Sequence, residues 1–486
     1  MKPNHLSTMA LLAFLAGGCA NIPSVGPDYH KPETKAPAHW DEPLAGGETN
    51  SAAAATAAWW KNFHDSELDS LIERAACSNL DLRIAQARVR EARAHYRMTS
   101  ADFWPTVDAA GSYSRVRSPE HLPVLGAMHL PSYEDDVHLA GFDASWEIDV
   151  FGGKRRATES ARAQFAATQF GECEVLVTLL GEVARNYVEA RGYQRRLGIA
   201  RDNIRAQEQS LAITQNRFTN GLTSNLDVQQ ASSLLATTRA VVPALETALA
   251  ASVHRLGVLL GQTPESLETE LATVAPIPAV PPSVPVGLPS ELLLRRPDVA
   301  LAERQLAAAT ANIGVAKADL FPKFFLTGVA GFEGLSVDDW FKSGSRFWSV
   351  GPAVQWRMFD AGRIRANVKV QTARQEQVLA SYENTALTAF EDVENALTAY
   401  AKEQIRRQSL ADAVKSSEES LRLANQLYSN GLANFINVLD AERSLYQAQD
   451  ALVQSDKTVT TDVIALYKSL GGGWETIKQP AALALK

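Results

Sequence analysis

Two kinds of hydrophobic pattern alternate along this chain. In four short stretches apolar and polar residues alternate with a period of two, which predicts strands with one apolar and one polar face. These stretches cover about residues 106–114, 139–150, 323–333 and 348–359. In two long stretches apolar residues recur three and four positions apart, which predicts helices with a coiled-coil seam. The long helices are expected at about 154–218 and 363–428, with return helices at about 224–260 and 434–470.

The whole pattern occurs twice. Phe218-Thr219-Asn220-Gly221-Leu222 at the end of the first long helix returns in the second half of the chain as Tyr428-Ser429-Asn430-Gly431-Leu432. Each glycine would supply the left-handed residue that caps a helix C-terminus. We therefore expect a first structural repeat over residues 61–270 and a second over 290–471. A proline-rich linker at 271–289 joins them, and residues 472–486 form a tail.

The four predicted strands can be assessed as a membrane element. In lipid every backbone N–H and C=O group must be paired, so an open four-stranded sheet cannot exist there. Two copies of the chain would supply eight strands and three copies twelve, and a barrel could close. Aromatic residues at the strand ends would suit a membrane-interface girdle: Trp104, Trp146, Phe321 and Trp356. The alternative is a soluble sheet that packs one face on the helices.

Composition excludes several classes of protein. The 486 residues carry a net charge of -8 and no basic block, which argues against nucleic acid as a partner. No run of 18 apolar residues follows the N-terminus, so no membrane-spanning helix is expected. Residues 1–18 resemble a signal peptide, and residues 19–60 are rich in Pro, Ala and Gly and are expected to be extended. Of the three cysteines, Cys77 and Cys173 are expected to be two buried free thiols, and a disulfide between them in an oxidising compartment is the alternative.

No residues form a recognisable catalytic or metal-binding motif. Gly152-Gly153-Lys154 lacks the full spacing of a phosphate-binding loop. His121, His129 and His138 fall in or beside the loop of the first hairpin, where solvent-facing side chains are expected. The sequence therefore predicts neither an enzyme nor a cofactor or metal site.

Several short motifs carry a resemblance to a known family. Leu15-Ala16-Gly17-Gly18-Cys19 resembles a bacterial lipoprotein signal, with Cys19 as the acylated residue. Val25-Gly26-Pro27-Asp28-Tyr29-His30-Lys31-Pro32, Arg295-Arg296-Pro297-Asp298-Val299, Leu320-Phe321-Pro322 and Asn437–Leu445 resemble the TolC/OprM/NodT-type outer-membrane efflux lipoproteins. The likeness extends over nearly the whole mature chain and includes its duplication.

The resemblance implies a fold and a set of partners. The expected fold is an α+β membrane protein: a homotrimer whose 12-stranded outer-membrane β-barrel, with four strands per chain, is continued by a long antiparallel coiled-coil α-helical barrel. The expected function is a passive gated conduit, lipid-anchored in the outer membrane and extending into the periplasm. Its implied partners are a periplasmic adaptor protein, an inner-membrane RND-type pump and outer-membrane lipid.

The resemblance also assigns candidate site residues. Ile436 and Asp440, one helical turn apart, would form hydrophobic and acidic rings at a periplasmic gate, with Leu226 and Gln230 as their first-repeat equivalents. The turns Asn220-Gly221-Leu222 and Asn430-Gly431-Leu432 would contact the adaptor. Simpler roles remain open, because Asp440 could be a solvated first-turn residue and the turns could be plain helix caps.

Other functions share this architecture. An outer-membrane exit duct for a secreted polypeptide or oligosaccharide would have the same strands and helices. A trimeric surface stalk would also be coiled-coil and membrane-anchored, although a stalk has no use for two antiparallel hairpins with matching tips.

Overall fold

A computed structural model describes residues 24–33, 36–41, 47–48, 57–117, 134–281, 284–340 and 342–477. The helices are α1 (Ser66–Ser78), α2 (Leu80–Ala101), α3 (Gly153–Thr219), α4 (Asn225–Leu259), α5 (Pro289–Arg295), α6 (Pro297–Ala318), α7 (Arg363–Ser429), α8 (Phe435–Ser469) and α9 (Trp474–Ile477). The strands of the main sheet are β1 (Thr106–Arg117), β2 (Glu134–Ile148), β3 (Lys323–Gly334) and β4 (Arg346–Gln355). A short parallel ladder also pairs Gly47–Glu48 with Val284–Pro285.

Side-chain caps define the first two helices. The Asp65 carboxylate accepts hydrogen bonds from the backbone N–H groups of Glu67 (3.0 Å) and Leu68 (3.1 Å), which satisfies two donors at the start of α1. Asn79 separates α1 from α2, and its side-chain oxygen accepts from the N–H of Leu82 at 2.9 Å. The residue that interrupts the helical pattern thus also starts the next helix.

The sheet is antiparallel, in the order β1-β2-β3-β4. Thr106 lies opposite Ser145 in the first hairpin, and Lys323 lies opposite Gln355 in the second. Between the hairpins β2 pairs with β3, with Glu147 opposite Phe325. β1 and β4 are therefore the two edges of the sheet.

Three strand limits differ by three residues or more from the sequence-based expectation. β2 begins at Glu134 and not at 139, and β1 continues to Arg117 rather than 114. The added ends are charged and obscure the alternation, but they pair, and Arg115 contacts Glu134 at 3.3 Å. β4 stops at Gln355 rather than 359, because no described strand of the chain lies opposite the residues that follow.

The apolar face of the sheet is exposed in the single chain. The large exposed hydrophobic side chains on this face include Val107, Phe142, Trp348, Val350 and Val354. These residues belong to the apolar set in the alternating pattern of each strand. A contiguous apolar face of this kind is a surface for binding to lipid or to another protein.

Two compact units divide the chain, and each of the two longest helices passes from one unit into the other. The first unit contains the sheet, together with residues 90–167, 303–381 and the N-terminal segment up to Pro32. In it Arg156 binds Asp28 at 2.6 Å and Glu159 at 2.8 Å. A Cβ added to Gly26 would lie 2.5 Å from the Cα of Gly314, so the extended segment contacts α6 backbone to backbone.

The second unit contains most of the buried apolar side chains. Trp59 stacks on Tyr467 with ring centroids 5.4 Å apart, and both are almost fully buried. The Arg296 guanidinium binds the carboxylates of Asp298 (2.7 Å) and Asp392 (2.9 Å) and the carbonyl oxygen of Ser469 (3.0 Å). The Arg296 side chain therefore links the start of α6 by hydrogen bonds to α7 and to the end of α8.

One helix and one cysteine differ from the expectation. Among the described residues α4 is long and apolar enough to cross a membrane by length and composition, with a mean hydropathy of 1.3 in its best window. Its Ala, Leu and Val residues raise this mean although Ser and Thr interrupt the run, and α4 continues through Pro243. A single such helix is weak evidence for a span. Cys77 is exposed rather than buried, because α1 buries the opposite face, whereas Cys173 is buried.

Candidate functional site

The two long helices end in the same turn. Gly221 and Gly431 have φ values of +73° and +75°, which place both in the left-handed region. The N–H of Leu222 donates to the carbonyl of Arg217 at 2.8 Å, and the N–H of Leu432 donates to that of Leu427 at 2.9 Å. These bonds belong to the Schellman motif that closes a helix C-terminus.

Each turn presents a leucine to solvent. The exposed fraction is 67% for Leu222 and 74% for Leu432. Asn220 and Asn430 are also exposed, and the Asn220 amide donates to the carbonyl of Asn216 at 2.7 Å. The asparagines and glycines thus form the turns, while the leucines leave an apolar side chain at each tip.

The two return helices begin differently. Ser224 caps α4 in a capping box, in which its side chain and that of Asp227 each accept from the backbone of the other residue. Asn434 precedes α8, and its side chain makes no such capping bond. The tip of the second repeat is therefore held with fewer local hydrogen bonds than the tip of the first.

The predicted gate residues lie on one exposed face of α8. Ile436 and Asp440 are both exposed, as their spacing of one turn predicts. The Asp440 carboxylate accepts a hydrogen bond from Arg443 at 3.0 Å, an i,i+3 ion pair that is not among the sequence-based predictions. In the first repeat Leu226 is exposed and Gln230 is half-buried. The second repeat alone thus carries a charged pair at this position.

The opposite face of α8 packs into an apolar core beside the tip turns. Phe435, Val438 and Leu439 are buried in one cluster with Ala231 of α4. Tyr428 at the end of α7 packs on Phe435 with ring centroids 5.1 Å apart, and the Arg217 guanidinium lies 4.6 Å above the Tyr428 ring. An apolar core capped by a cation–π contact therefore joins the four helices at their tips.

A buried carboxyl lies close to this core. Glu442 of α8 is only 7% exposed, and its Oε2 atom has no hydrogen-bond partner among the described residues. Burial raises the pKa of Glu442 to about 6, while a hydrogen bond from Ser210 of α3 acts in the opposite direction. Gln207, one turn before Ser210 on α3, is buried as well. Glu442 is not among the site residues predicted from the sequence, although its position four residues after Val438 lies on the apolar seam.

The aromatic residues chosen for a girdle lie at the helix-proximal ends of the strands. Trp104, Trp146, Phe321 and Trp356 are all exposed. The Trp146 indole N–H donates to the carbonyl of Phe103 at 2.8 Å, and that of Trp356 donates to the carbonyl of Leu320 at 3.2 Å. These bonds fix the two tryptophans at equivalent places in the two hairpins.

The remaining candidate residues are Cys19 and three histidines. Cys19, His121 and His129 lie outside the described residues. His138 lies in β2, with its ring 5.0 Å from that of Tyr113. Within the parts of the chain that the structure describes, no group of three or more His, Cys, Asp or Glu side chains could hold a metal ion.

Comparison with known proteins identifies the family. The family model for outer membrane efflux proteins matches residues 71–262 and 288–472. The chain belongs to the outer membrane efflux protein family. It is 34% identical over 481 residues to the solvent efflux pump outer membrane protein SrpC of Pseudomonas putida, covering 98% of this chain and 99% of that protein. It is 31% identical over 470 residues to nodulation protein T of Rhizobium leguminosarum bv. trifolii, covering 97% and 98%.

A solved structure of the family has the same fold. The outer-membrane channel OprN is 37% identical to this efflux protein and superposes with a TM-score of 0.87, covering 93% of this chain and 99% of that one. The resemblance inferred from the short motifs is thereby confirmed. Members of the family are transport components rather than enzymes.

Proposed function

We propose that this efflux protein is the outer-membrane channel of a tripartite efflux system. Three copies would form a passive gated conduit that leads from a periplasmic adaptor and an inner-membrane RND-type pump to the exterior. The observation that carries this proposal is the four-stranded sheet, which has an exposed apolar face and two unpaired edges among the described residues.

The sheet supports a barrel made of several copies. An unpaired edge in lipid leaves N–H and C=O groups without partners, so β1 and β4 must each meet another strand. Four strands are too few to close, whereas three copies supply twelve, within the range of outer-membrane barrels. The exposed apolar face would then contact lipid, and the polar face, with Asp143 and Glu147, would line a watery channel.

The helices support a conduit that continues beyond the barrel. α3 with α4 and α7 with α8 form two antiparallel pairs, and both pairs reverse at the same type of turn. Three copies would bring six such turns together at the far end of a helical tube. The exposed Leu222 and Leu432 would offer apolar contacts to an adaptor protein.

The gate is proposed at the start of α8. Three Ile436 side chains would pack and exclude water, and three Asp440 carboxylates one turn away would form an electrostatic ring. Because each Asp440 binds Arg443 of its own chain, the ring would carry alternating charges rather than a bare acidic constriction. Cys19 would be acylated and would anchor the chain in the outer membrane.

Single-channel conductance in planar bilayers tests the proposal. Wild type would be compared with Asp440→Ala and with Asp202→Ala as a matched control. Asp202 is also exposed, lies on a long helix and forms an i,i+3 ion pair with Arg205, but it is several helical turns away from the tip turn at Asn220. We expect low wild-type conductance that rises in Asp440→Ala and stays unchanged in Asp202→Ala.

The possible outcomes test the gate role of Asp440 and the conduit function separately. Equal conductance in wild type and both variants would remove Asp440 from the gate and leave the conduit standing. A trimeric sample that conducts in none of the three forms would refute the conduit and favour a surface stalk.

A further inference from the structure

The two hairpins of the sheet are equivalent residue by residue. When the two sequence repeats are aligned, Phe103 corresponds to Leu320 and Trp146 corresponds to Trp356. The same indole-to-carbonyl hydrogen bond joins each tryptophan to its partner, Trp146 to Phe103 and Trp356 to Leu320. The sequence duplication is therefore also a duplication of contacts at the strand ends.

The strand register is duplicated as well. In the first hairpin Thr106 lies opposite Ser145. The alignment of the repeats equates Thr106 with Lys323 and Ser145 with Gln355, and these two residues lie opposite each other in the second hairpin. The same alignment thus converts the pairing of β1 with β2 into the pairing of β3 with β4.

The pairing between the hairpins can be transferred in the same way. β2 pairs with β3 so that Glu147 lies opposite Phe325. The duplicate of Glu147 is Arg357, just after β4, and the residue of β1 that corresponds to Phe325 is Asp108. We propose that the β4 edge of one copy pairs with the β1 edge of the next in the register that sets Arg357 opposite Asp108 of that copy. We call this pairing the transferred register. This inference rests on the proposed function, because it takes the closed barrel of several copies as given.

The end of β4 supports the assignment. Trp146, Glu147 and Ile148 belong to β2 because β3 lies opposite them. Their duplicates, Trp356, Arg357 and Met358, follow β4 with no described strand of this chain opposite them, and Trp356 and Met358 are 52% and 80% exposed. A second copy in the transferred register would supply the missing strand at these three residues.

Charge complementarity favours the same register. Asp108 lies directly opposite Asp143 in its own hairpin, and like charges in that position destabilise a sheet. Arg357 is exposed and forms no salt bridge within the described part of the chain, although its charge attracts the Asp360 carboxylate three residues further on. The transferred register places this cation beside Asp108, on the polar face of the sheet. The proposed interface therefore offsets a repulsion that no salt bridge among the described residues compensates.

Other registers lose these features. A shift of one residue would turn the apolar face of one strand toward the polar face of its neighbour. A shift of two would set Arg357 opposite Thr106 or Ala110, neither of which carries a charge. On the apolar face the transferred register places the large Trp356 opposite the small Ala109, an arrangement that gives the indole ring room to pack.

Disulfide cross-linking of the full-length protein tests the register. Cys77 and Cys173 would first be replaced by serine, with Cys19 kept for acylation. The in-register pairs are Asp108→Cys with Arg357→Cys and Ala109→Cys with Trp356→Cys. Both are made because consecutive antiparallel pairs alternate in Cα separation. The matched control, Thr106→Cys with Arg357→Cys, corresponds to a shift of two residues.

We expect covalent dimers and trimers on non-reducing gels from at least one in-register pair, and a cross-linked fraction about tenfold lower from the control. Directly opposite Cβ atoms are about 4.5–5.5 Å apart and diagonal ones about 7–8 Å, whereas a disulfide needs about 3.5–4.5 Å. Conducting trimers in which only the shifted pair cross-links would overturn the register and leave the proposed function intact. Failure of the wild type to form oligomers or to conduct would overturn the proposed function itself.

A charge exchange gives an independent test. Arg357→Asp and Asp108→Arg should each lower the fraction of trimer that survives in detergent, by about two- to fivefold per interface, as expected for a cross-strand charge pair. The double exchange should restore the trimer, because the attraction is rebuilt with reversed polarity. A double variant as unstable as the two single changes combined would contradict the pairing.

Discussion

Replacing Glu442 by glutamine should stabilise the helical tip at neutral pH. Burial moves the pKa of this carboxyl from its ordinary value of 4.5 to about 6. A difference of about 1.5 pKa units corresponds to about 2 kcal/mol of preference for the neutral form in the packed tip. Glutamine has nearly the same shape and carries no charge, so Glu442→Gln should keep the packing and remove this cost.

The direction of the pH dependence follows from the raised pKa. Below about pH 4.5 Glu442 is protonated both in the packed tip and when the tip is open, and the packing is at its most stable. Between about pH 4.5 and 6 the open form loses its proton first, so the free energy of opening falls most steeply across this window. The whole of that preference is lost between well below pH 4.5 and well above pH 6. Above pH 6 both forms are ionised and the lower stability is constant.

Amide hydrogen exchange of the detergent-solubilised protein provides the assay. After correction for intrinsic exchange, the opening equilibrium constant of residues 435–445 should rise about 15-fold between pH 4.5 and pH 7 in the wild type, because the open form is already half ionised at pH 4.5. In Glu442→Gln it should stay nearly constant. Glu419→Gln is the control, because Glu419 is exposed and a hydrogen bond from Arg422 lowers its pKa.

Two results would refute this reasoning. Wild-type protection of residues 435–445 that does not change between pH 4.5 and pH 7 would show that Glu442 is not held in an apolar environment. A Glu442→Gln protein with the wild-type pH dependence would assign the titration to another group.

Two further predictions concern the anchor and the turns. Cys19→Ala should reduce attachment to the outer membrane in fractionation, since the acyl chains supply membrane affinity; unchanged fractionation would remove the lipoprotein assignment. Gly431→Ala should destabilise the second tip by about 1–2 kcal/mol in hydrogen exchange, because a side chain is strained in the left-handed region. The strain is in the backbone alone, since φ is +75° and nothing lies within 4 Å of the added Cβ. Gly198→Ala, in the interior of α3 and equally open, should instead stabilise that helix by about 0.8–1.0 kcal/mol. Equal effects of the two changes would contradict the backbone argument.

The turns and the helix breaks could be predicted because single residues determine them. Gly221 and Gly431 have the left-handed backbone that the Asn-Gly pairs indicate. Asn79 separates α1 from α2 at the position where the helical pattern is interrupted. Such signals are local, and the physical cause acts within one turn of the residue that carries it.

The features that were missed depend mainly on contacts distant in sequence. Glu442 is polar and would be expected in solvent, yet it occupies a seam position and is buried when α8 packs on α3. The pairing of Arg443 with Asp440 is local and follows from their i,i+3 spacing, but it changes the expected charge of the gate. A polar residue at a seam position is the signal that could have identified Glu442.

The end of β4 shows a third reason why a sequence pattern can differ from the structure. Period-two alternation extended the fourth strand to residue 359, but it ends at Gln355 in the single chain. Alternation of apolar and polar residues indicates that their side chains suit a half-buried strand. A strand forms only where a neighbouring strand makes backbone hydrogen bonds with it. Residues 356–358 have the pattern without the neighbour, and the first hairpin shows the same positions paired. The discrepancy between pattern and pairing is therefore the observation from which we propose that a second copy supplies the neighbouring strand.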